Sequence, residues 1–95
     1  MIDLSIVIIS YNTKKITQDC LESINRSLTG TKIKYEIIII DNDSHDGSQE
    51  LLINMSEDNK NHLVYRQSGK NLGFGQGNNL GVKMAQGKYI LLLNS

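Results

Sequence analysis

Polar residues follow abruptly on apolar runs at three places in this chain. Ser10-Tyr11-Asn12 follows Leu4 to Ile9, Asp41-Asn42-Asp43 follows Ile37 to Ile40, and Asn94-Ser95 follows Tyr89 to Leu93. The first two groups have chemistry to offer a nucleoside. The Tyr11 ring could lie against a planar base, while Ser10 and Asn12 present hydrogen-bonding groups. Asp41 could accept from a ribose hydroxyl, and Asn42 could pair with the hydrogen-bonding edge of a pyrimidine. The same residues have plainer readings: a turn and helix N-cap around Ser10 to Thr13, and a turn leading to a second cap over Asp43 to Gly47.

The stretch Asn71 to Lys88, NLGFGQGNNLGVKMAQGK, holds five of the eight glycines. It is not the dinucleotide fingerprint, because G-x-G-x-x-G begun at Gly73 meets Asn78, and begun at Gly75 it meets Leu80. Nor is it a P-loop: Gly81 to Gly87-Lys88 has one spacer too many, and Tyr89 stands where Ser or Thr is needed. A glycine inside a helix costs about 1 kcal/mol relative to alanine. Several together imply a close backbone approach that tolerates no side chain. Asn71 and Asn78 could offer amides to a sugar or diphosphate, although Asn71 also suits a turn. His45 lies between Asp43 and Asp46, which reads more simply as a solvated loop than as a metal site.

These residues need elements to position them. The three apolar runs are continuous rather than alternating, the pattern of strands covered on both faces of a parallel sheet. A weaker strand is predicted over His62 to Gln67. Asn12 or Thr13 can cap a helix with Ile16, Cys20, Leu21, Ile24 and Leu28 as its apolar stripe and Gly30 as its stop. Asp46 with Gln49 resembles a capping box for a short helix carrying Leu51, Leu52 and Met55. A third helix is predicted from about Phe74 to Ala85, with Phe74, Val82 and Ala85 facing inward. The fold class is therefore α/β: a Rossmann-like, three-layer αβα arrangement with a mostly parallel sheet, ending after the fourth strand. Strand order 3-2-1-4 would bring the three polar groups to one crevice.

Composition narrows the partners. The 95 residues carry 10 Lys plus Arg and 10 Asp plus Glu, for zero formal net charge. There is no basic footprint for nucleic acid. Cys20 is the only cysteine, which excludes an internal disulfide and suits a small core residue on a helix face. No apolar run approaches the ~20 residues that span a bilayer. A reducing, cytoplasmic setting fits these features.

In this order and spacing, "SIVIISYNT", "EIIIIDNDSHDGS" and "NLGFGQGNNLGVKMAQGKYILLLNS" resemble the amino-terminal, nucleotide-binding half of a family 2 glycosyltransferase with the GT-A fold. The resemblance runs from about Asp3 to Ser95, so residues 1–95 are read as one nucleotide-sugar-binding half with the acceptor half absent. The last motif is most similar to the rhamnosyltransferase and galactofuranosyltransferase branch.

The resemblance implies roles. Ser10, Tyr11 and Asn12 would line the base pocket, and Asp41 and Asn42 would contact ribose and base, although many members have a second acid where Asn42 stands. Asn71, Gly73 and Asn78 would border the nucleotide sugar. Asn94 would occupy the first position of an Asp-x-Asp-like motif, whose metal-holding acid is expected to follow Ser95. Mg²⁺ or Mn²⁺ is expected in the full-length enzyme, with no metal held firmly by these residues and no catalytic residue among them.

The function implied is donor binding for an inverting glycosyl transfer in bacterial polysaccharide or cell-envelope glycan synthesis, without turnover by this chain alone. The donor would be a UDP- or dTDP-sugar and the acceptor a glycan or lipid-linked molecule. The full-length protein would be cytoplasmic, with attachment at the inner face of the membrane left open. Self-association through uncovered sheet surface is also expected. The alternative is a catalytically silent α/β module that binds a nucleotide or a protein.

Overall fold

The computed structural model describes residues 1–94. Four strands, β1 (Leu4–Ser10), β2 (Tyr35–Asp41), β3 (Leu63–Gln67) and β4 (Tyr89–Asn94), form one sheet in the order β3-β2-β1-β4. All three pairings are parallel. Helices α1 (Lys14–Leu28), α2 (Ser48–Ser56) and α3 (Gly73–Met84) make the crossovers, with a 3₁₀ turn at Asn59–Asn61 before β3.

The isoleucine runs are continuous because both faces of the sheet are covered. Ile6, Ile8, Ile37 and Ile39 point to one side, where they pack with Leu21 of α1 and Leu52 of α2. Val7, Ile9, Ile38 and Ile40 point to the other, against Leu80, Met84 and Ala85. Ile37 to Ile40 are all fully buried. Each such side chain contributes about 1.5–3 kcal/mol relative to exposure, so the central strand is the main source of cohesion. Two helices on one face and one on the other give the expected three layers.

The expected α1 stripe is corrected at its start. Ile16 is exposed and Thr17 is fully buried in its place, where its hydroxyl bonds Ser10 Oγ at 3.1 Å. A buried threonine is stable here because its hydroxyl has partners. Gly30 does adopt positive φ just past the helix end, at 86°.

The expected capping box at α2 is also corrected. The N-cap is Gly47, and the Asp46 carboxylate works alone. Its Oδ1 accepts from Ser48 N and Oγ, and its Oδ2 accepts from Lys14 N at 3.0 Å. One side chain thus serves the N-termini of both α1 and α2, a pairing of distant residues that no local motif announces. The Ser48 hydroxyl above all, with these N–H donors, holds the Asp46 carboxyl below the usual carboxylate range.

α3 packs through its glycines. A Cβ on Gly81 would collide with Val7 Cγ1, and one on Gly77 would meet Ile9 Cδ1 at 3.1 Å. The close approach expected from the glycine content is therefore present. The expected inward face holds only at Ala85: Phe74 and Val82 are 57% and 40% exposed, and Leu80 and Met84 pack beside Ala85 in their place.

Candidate functional site

Three segments converge beyond the carboxyl ends of the strands and enclose a crevice of ≈ 360 Å³. The end of β1 supplies Ile9, Tyr11 and Thr13, the end of β2 supplies Asn42, and the entry to α3 supplies Asn71, Gly73 and Phe74. Among the described residues, none that lines the crevice carries a charge.

The α3 wall is tied to β2 by Asn42. Its Oδ1 accepts from Leu72 N at 3.4 Å, and its Nδ2 donates to Gly73 O at 3.3 Å. Asn71 Oδ1 accepts from Gly73 N at 2.9 Å, which closes a local turn. Gly73 itself sits at φ 75°, a left-handed conformation that favours glycine. The amides that shape this wall are thus held within the protein before any ligand arrives.

Below the crevice lies a network that sequence reasoning missed. Asp41 is fully buried. Its Oδ1 accepts from Ser44 N at 2.9 Å and its Oδ2 accepts from Tyr65 OH at 2.7 Å. Burial, and then the Asp41 carboxylate, push the Tyr65 phenol well above its usual range, so it remains a donor. Gln67 Oε1 accepts from Asp43 N at 3.1 Å and from Gly69 N at 3.0 Å. Ser68 N and Oγ both donate to the Asp41 carbonyl at 3.0 Å. The end of β3 therefore braces the loop after β2. The only signal in the sequence is that β3 closes on Tyr65 to Gln67, with Ser68 just after it, polar residues beside a strand that ends in an acid.

The residues singled out from sequence fall into two groups. Tyr11, Asn42, Asn71 and Gly73 meet in the crevice. Ser10, Asn12, Asp41 and Asn78 are not among the residues that line it. Ser10 is buried against Thr13 and Thr17. Asn12, at φ 50°, accepts from His45 N at 2.8 Å through Oδ1, and its N–H donates to Ser44 Oγ. It staples the two loops together. Asp41 has a protein donor on each oxygen, and Asn78 lies further along α3, partly buried. Asn94 ends β4 opposite Ile9, and the expected metal-holding acid after Ser95 lies outside the described residues.

The described residues do not supply a metal cradle. No group of three or more His, Cys, Asp or Glu among them could hold an ion. His45 Nε2 lies 3.5 Å from Asp43 Oδ2 on the exposed loop, a pair rather than a ligand set.

The family model "Glycosyl transferase family 2" matches residues 5–95. The chain is 35% identical over 92 residues to poly(ribitol-phosphate) beta-glucosyltransferase of Bacillus spizizenii, covering 97% of this chain and 14% of that protein. It is 33% identical over 93 residues to glycosyltransferase GlyG of Streptococcus pneumoniae, covering 97% and 29%. The crystal structure of S. aureus TarS 1-349 in complex with UDP superposes with a TM-score of 0.85 at 25% identity, covering 99% of this chain and 27% of that one. The chain thus spans well under a third of the length of these relatives. A parallel sheet ordered β3-β2-β1-β4, a crevice at its carboxyl edge and a family match over nearly every residue place this chain in glycosyl transferase family 2, with the GT-A fold.

Proposed function

We propose that this chain is the donor-binding part of an inverting glycosyltransferase of bacterial cell-envelope glycan synthesis, taking a UDP- or dTDP-sugar. The observation that carries the reading is the crevice beside the point where the chain, having laid β2 and β3 on one side of β1, returns to place β4 on the other. Open α/β sheets bind ligands at such switch points. Tyr11, Asn42, Asn71 and Gly73 sit there with an aromatic face and amides, and a solved neighbour of this fold holds UDP.

The residues divide the work. Tyr11 offers a ring for a base, Asn42 the one N–H and lone pair that its amide does not use on the α3 wall, and Asn71 and Gly73 the wall toward the sugar. Asp41 and Asn12 hold the loops that carry them. One relative, named poly(ribitol-phosphate) beta-glucosyltransferase, supports a glucosyl donor and a poly(ribitol phosphate) acceptor, whereas the α3 motif supports the rhamnosyl and galactofuranosyl branch. Mg²⁺ or Mn²⁺ would offset the charge of a departing nucleoside diphosphate. The described residues do not themselves cradle it. A cytoplasmic setting, at the inner face of the membrane for the whole protein, belongs to the same proposal, as does self-association through β4.

The test is a titration with UDP, dTDP and GDP, with and without Mn²⁺, followed by amide NMR shifts. Shifts at Tyr11, Asn42 and residues 71–74 for UDP or dTDP, with little metal dependence, are expected. A folded sample in which no nucleotide moves those amides would overturn the reading.

A further inference from the structure

The crevice lies at the carboxyl edge of the sheet, and the opposite, amino edge carries a second groove. This groove measures ≈ 550 Å³ and is lined by Asp3 and Leu4 at the start of β1, Lys32 and Ile33 ahead of β2, and Lys88 and Tyr89 at the start of β4. Backbone hydrogen bonds join the three segments into one platform. Asp3 N donates to Lys34 O at 2.7 Å, Lys88 N to Ile2 O at 3.1 Å and Tyr89 N to Asp3 O at 2.9 Å.

Two kinds of side chain stand on this platform. Ile33 is 42% and Tyr89 66% exposed, and neither belongs to the core on either face of the sheet. Both have lysine neighbours: Lys32 and Lys34 bracket Ile33, and Lys88 precedes Tyr89, all three exposed. Lys88 Nζ lies 5.6 Å from the centroid of the Tyr89 ring. Among the described residues, none of these lysines is in an ion pair. The acid in the groove is already engaged, since Asp3 Oδ2 accepts from Lys34 N at 2.9 Å. Apolar tips beside long-stemmed cations suit a boundary where the tips leave water and the ammonium groups stay with phosphate. No single stretch of the sequence is polybasic; the fold brings the lysines together.

We propose that the amino edge of the sheet is a docking surface for an anionic lipid bilayer, with Ile33 and Tyr89 entering the headgroup region and Lys32 and Lys88 meeting lipid phosphates. This gives a surface to the membrane setting proposed above. It is independent of donor binding, because the crevice opens at the far end of strands up to seven residues long, about 23 Å away.

Co-sedimentation of the whole chain with vesicles tests it, using phosphatidylcholine alone and phosphatidylcholine with one-third phosphatidylglycerol. Binding to the anionic vesicles is expected to be at least about ten-fold tighter than to the neutral ones, and to be lost as salt rises toward ~0.5 M. A lysine near an anionic surface is worth about five-fold in binding, so the double variant Lys32→Gln/Lys88→Gln should bind roughly 25-fold more weakly. Ile33→Ser should weaken binding by roughly three- to thirty-fold. Ile33 lies outside β4, so that loss cannot come from pairing of the β4 edge. All three positions are exposed, and the variants should keep the wild-type amide spectrum. Equal binding to both vesicles, binding to neither, or a double variant that binds like the wild type overturns the inference. So does a mass that rises with concentration and falls in Ile33→Ser without vesicle binding, which would assign the groove to a second copy of the chain. Each of these outcomes leaves the donor reading standing, because the nucleotide titration of the same sample reports on the other edge of the sheet.

Discussion

At the residue scale, the chemistry of this site depends on side chains that touch no crevice surface. The Asp41 carboxylate is a buried hub with Ser44 N on one oxygen and Tyr65 OH on the other. Removing one partner of a buried charge leaves a desolvated acceptor, which costs about 1–3 kcal/mol. Tyr65→Phe is therefore expected to lower stability by that amount in urea denaturation, and to broaden or shift the amides of Ser44 and Asn42. The pH dependence has a definite sign. The Tyr65 phenol is raised above its ordinary value of 10.0 by burial and by Asp41. A raised folded-state value gives stability that is fully present below pH ~10 and declines as pH rises beyond it. A loss of stability above pH ~10 is expected in the wild type, and a shallower loss in Tyr65→Phe. An identical alkaline slope in both proteins would show that the phenol is not the group responsible.

Among the elements, α3 has the most unusual construction. Four of its twelve residues are glycine, which lowers its intrinsic helix propensity. The helix forms nonetheless, because Gly77 and Gly81 let its backbone settle onto Ile9 and Val7. Two kinds of glycine can be separated. Gly81→Ala places a methyl against fully buried Val7 and should destabilise by about 1–3 kcal/mol, the usual cost of overpacking, less the ~1 kcal/mol gained in helix propensity. A Cβ on Gly75 would meet nothing within 4 Å. Gly75→Ala should therefore be neutral or stabilising by up to ~1 kcal/mol. Thermal melts of the pair decide the matter: equal effects would mean that close approach is not the reason for the glycines. Asp46 illustrates the same scale differently, since a single carboxylate joins the starts of α1 and α2.

For the whole molecule, the notable surface is β4. It pairs with β1 on one side only, and Tyr89 to Leu92 are between 43% and 66% exposed. An exposed apolar edge strand is a template for pairing with another chain. The self-association proposed above should appear as a rise in weight-average mass across a sedimentation concentration series. Leu92→Lys, which places a charge on that strand, should return the protein to monomer. One monomeric species throughout the wild-type series would rule self-association out.

The strands, their parallel pairing and the crevice location were legible in the sequence because they follow from one-dimensional patterns. Continuous Ile and Val runs demand cover on both faces, and alternation with helices demands crossovers. Tyr11 and Asn42 were legible for the same reason, as polar residues just past those runs, whereas Asn71 was read from the glycine-rich stretch and Gly73 from the family resemblance. Three things were decided only by tertiary structure. Thr17 rather than Ile16 is buried, because Ser10 lies beneath it with a hydroxyl to share. Asp41 turns to Tyr65 and Ser44 rather than to the crevice, because β3 ends beside it. Phe74 faces the crevice rather than the core, because α3 runs one turn beyond the end of β1. Each depends on which side chain a distant segment brings within reach, and sequence periodicity records only the side on which a residue lies, not what waits there.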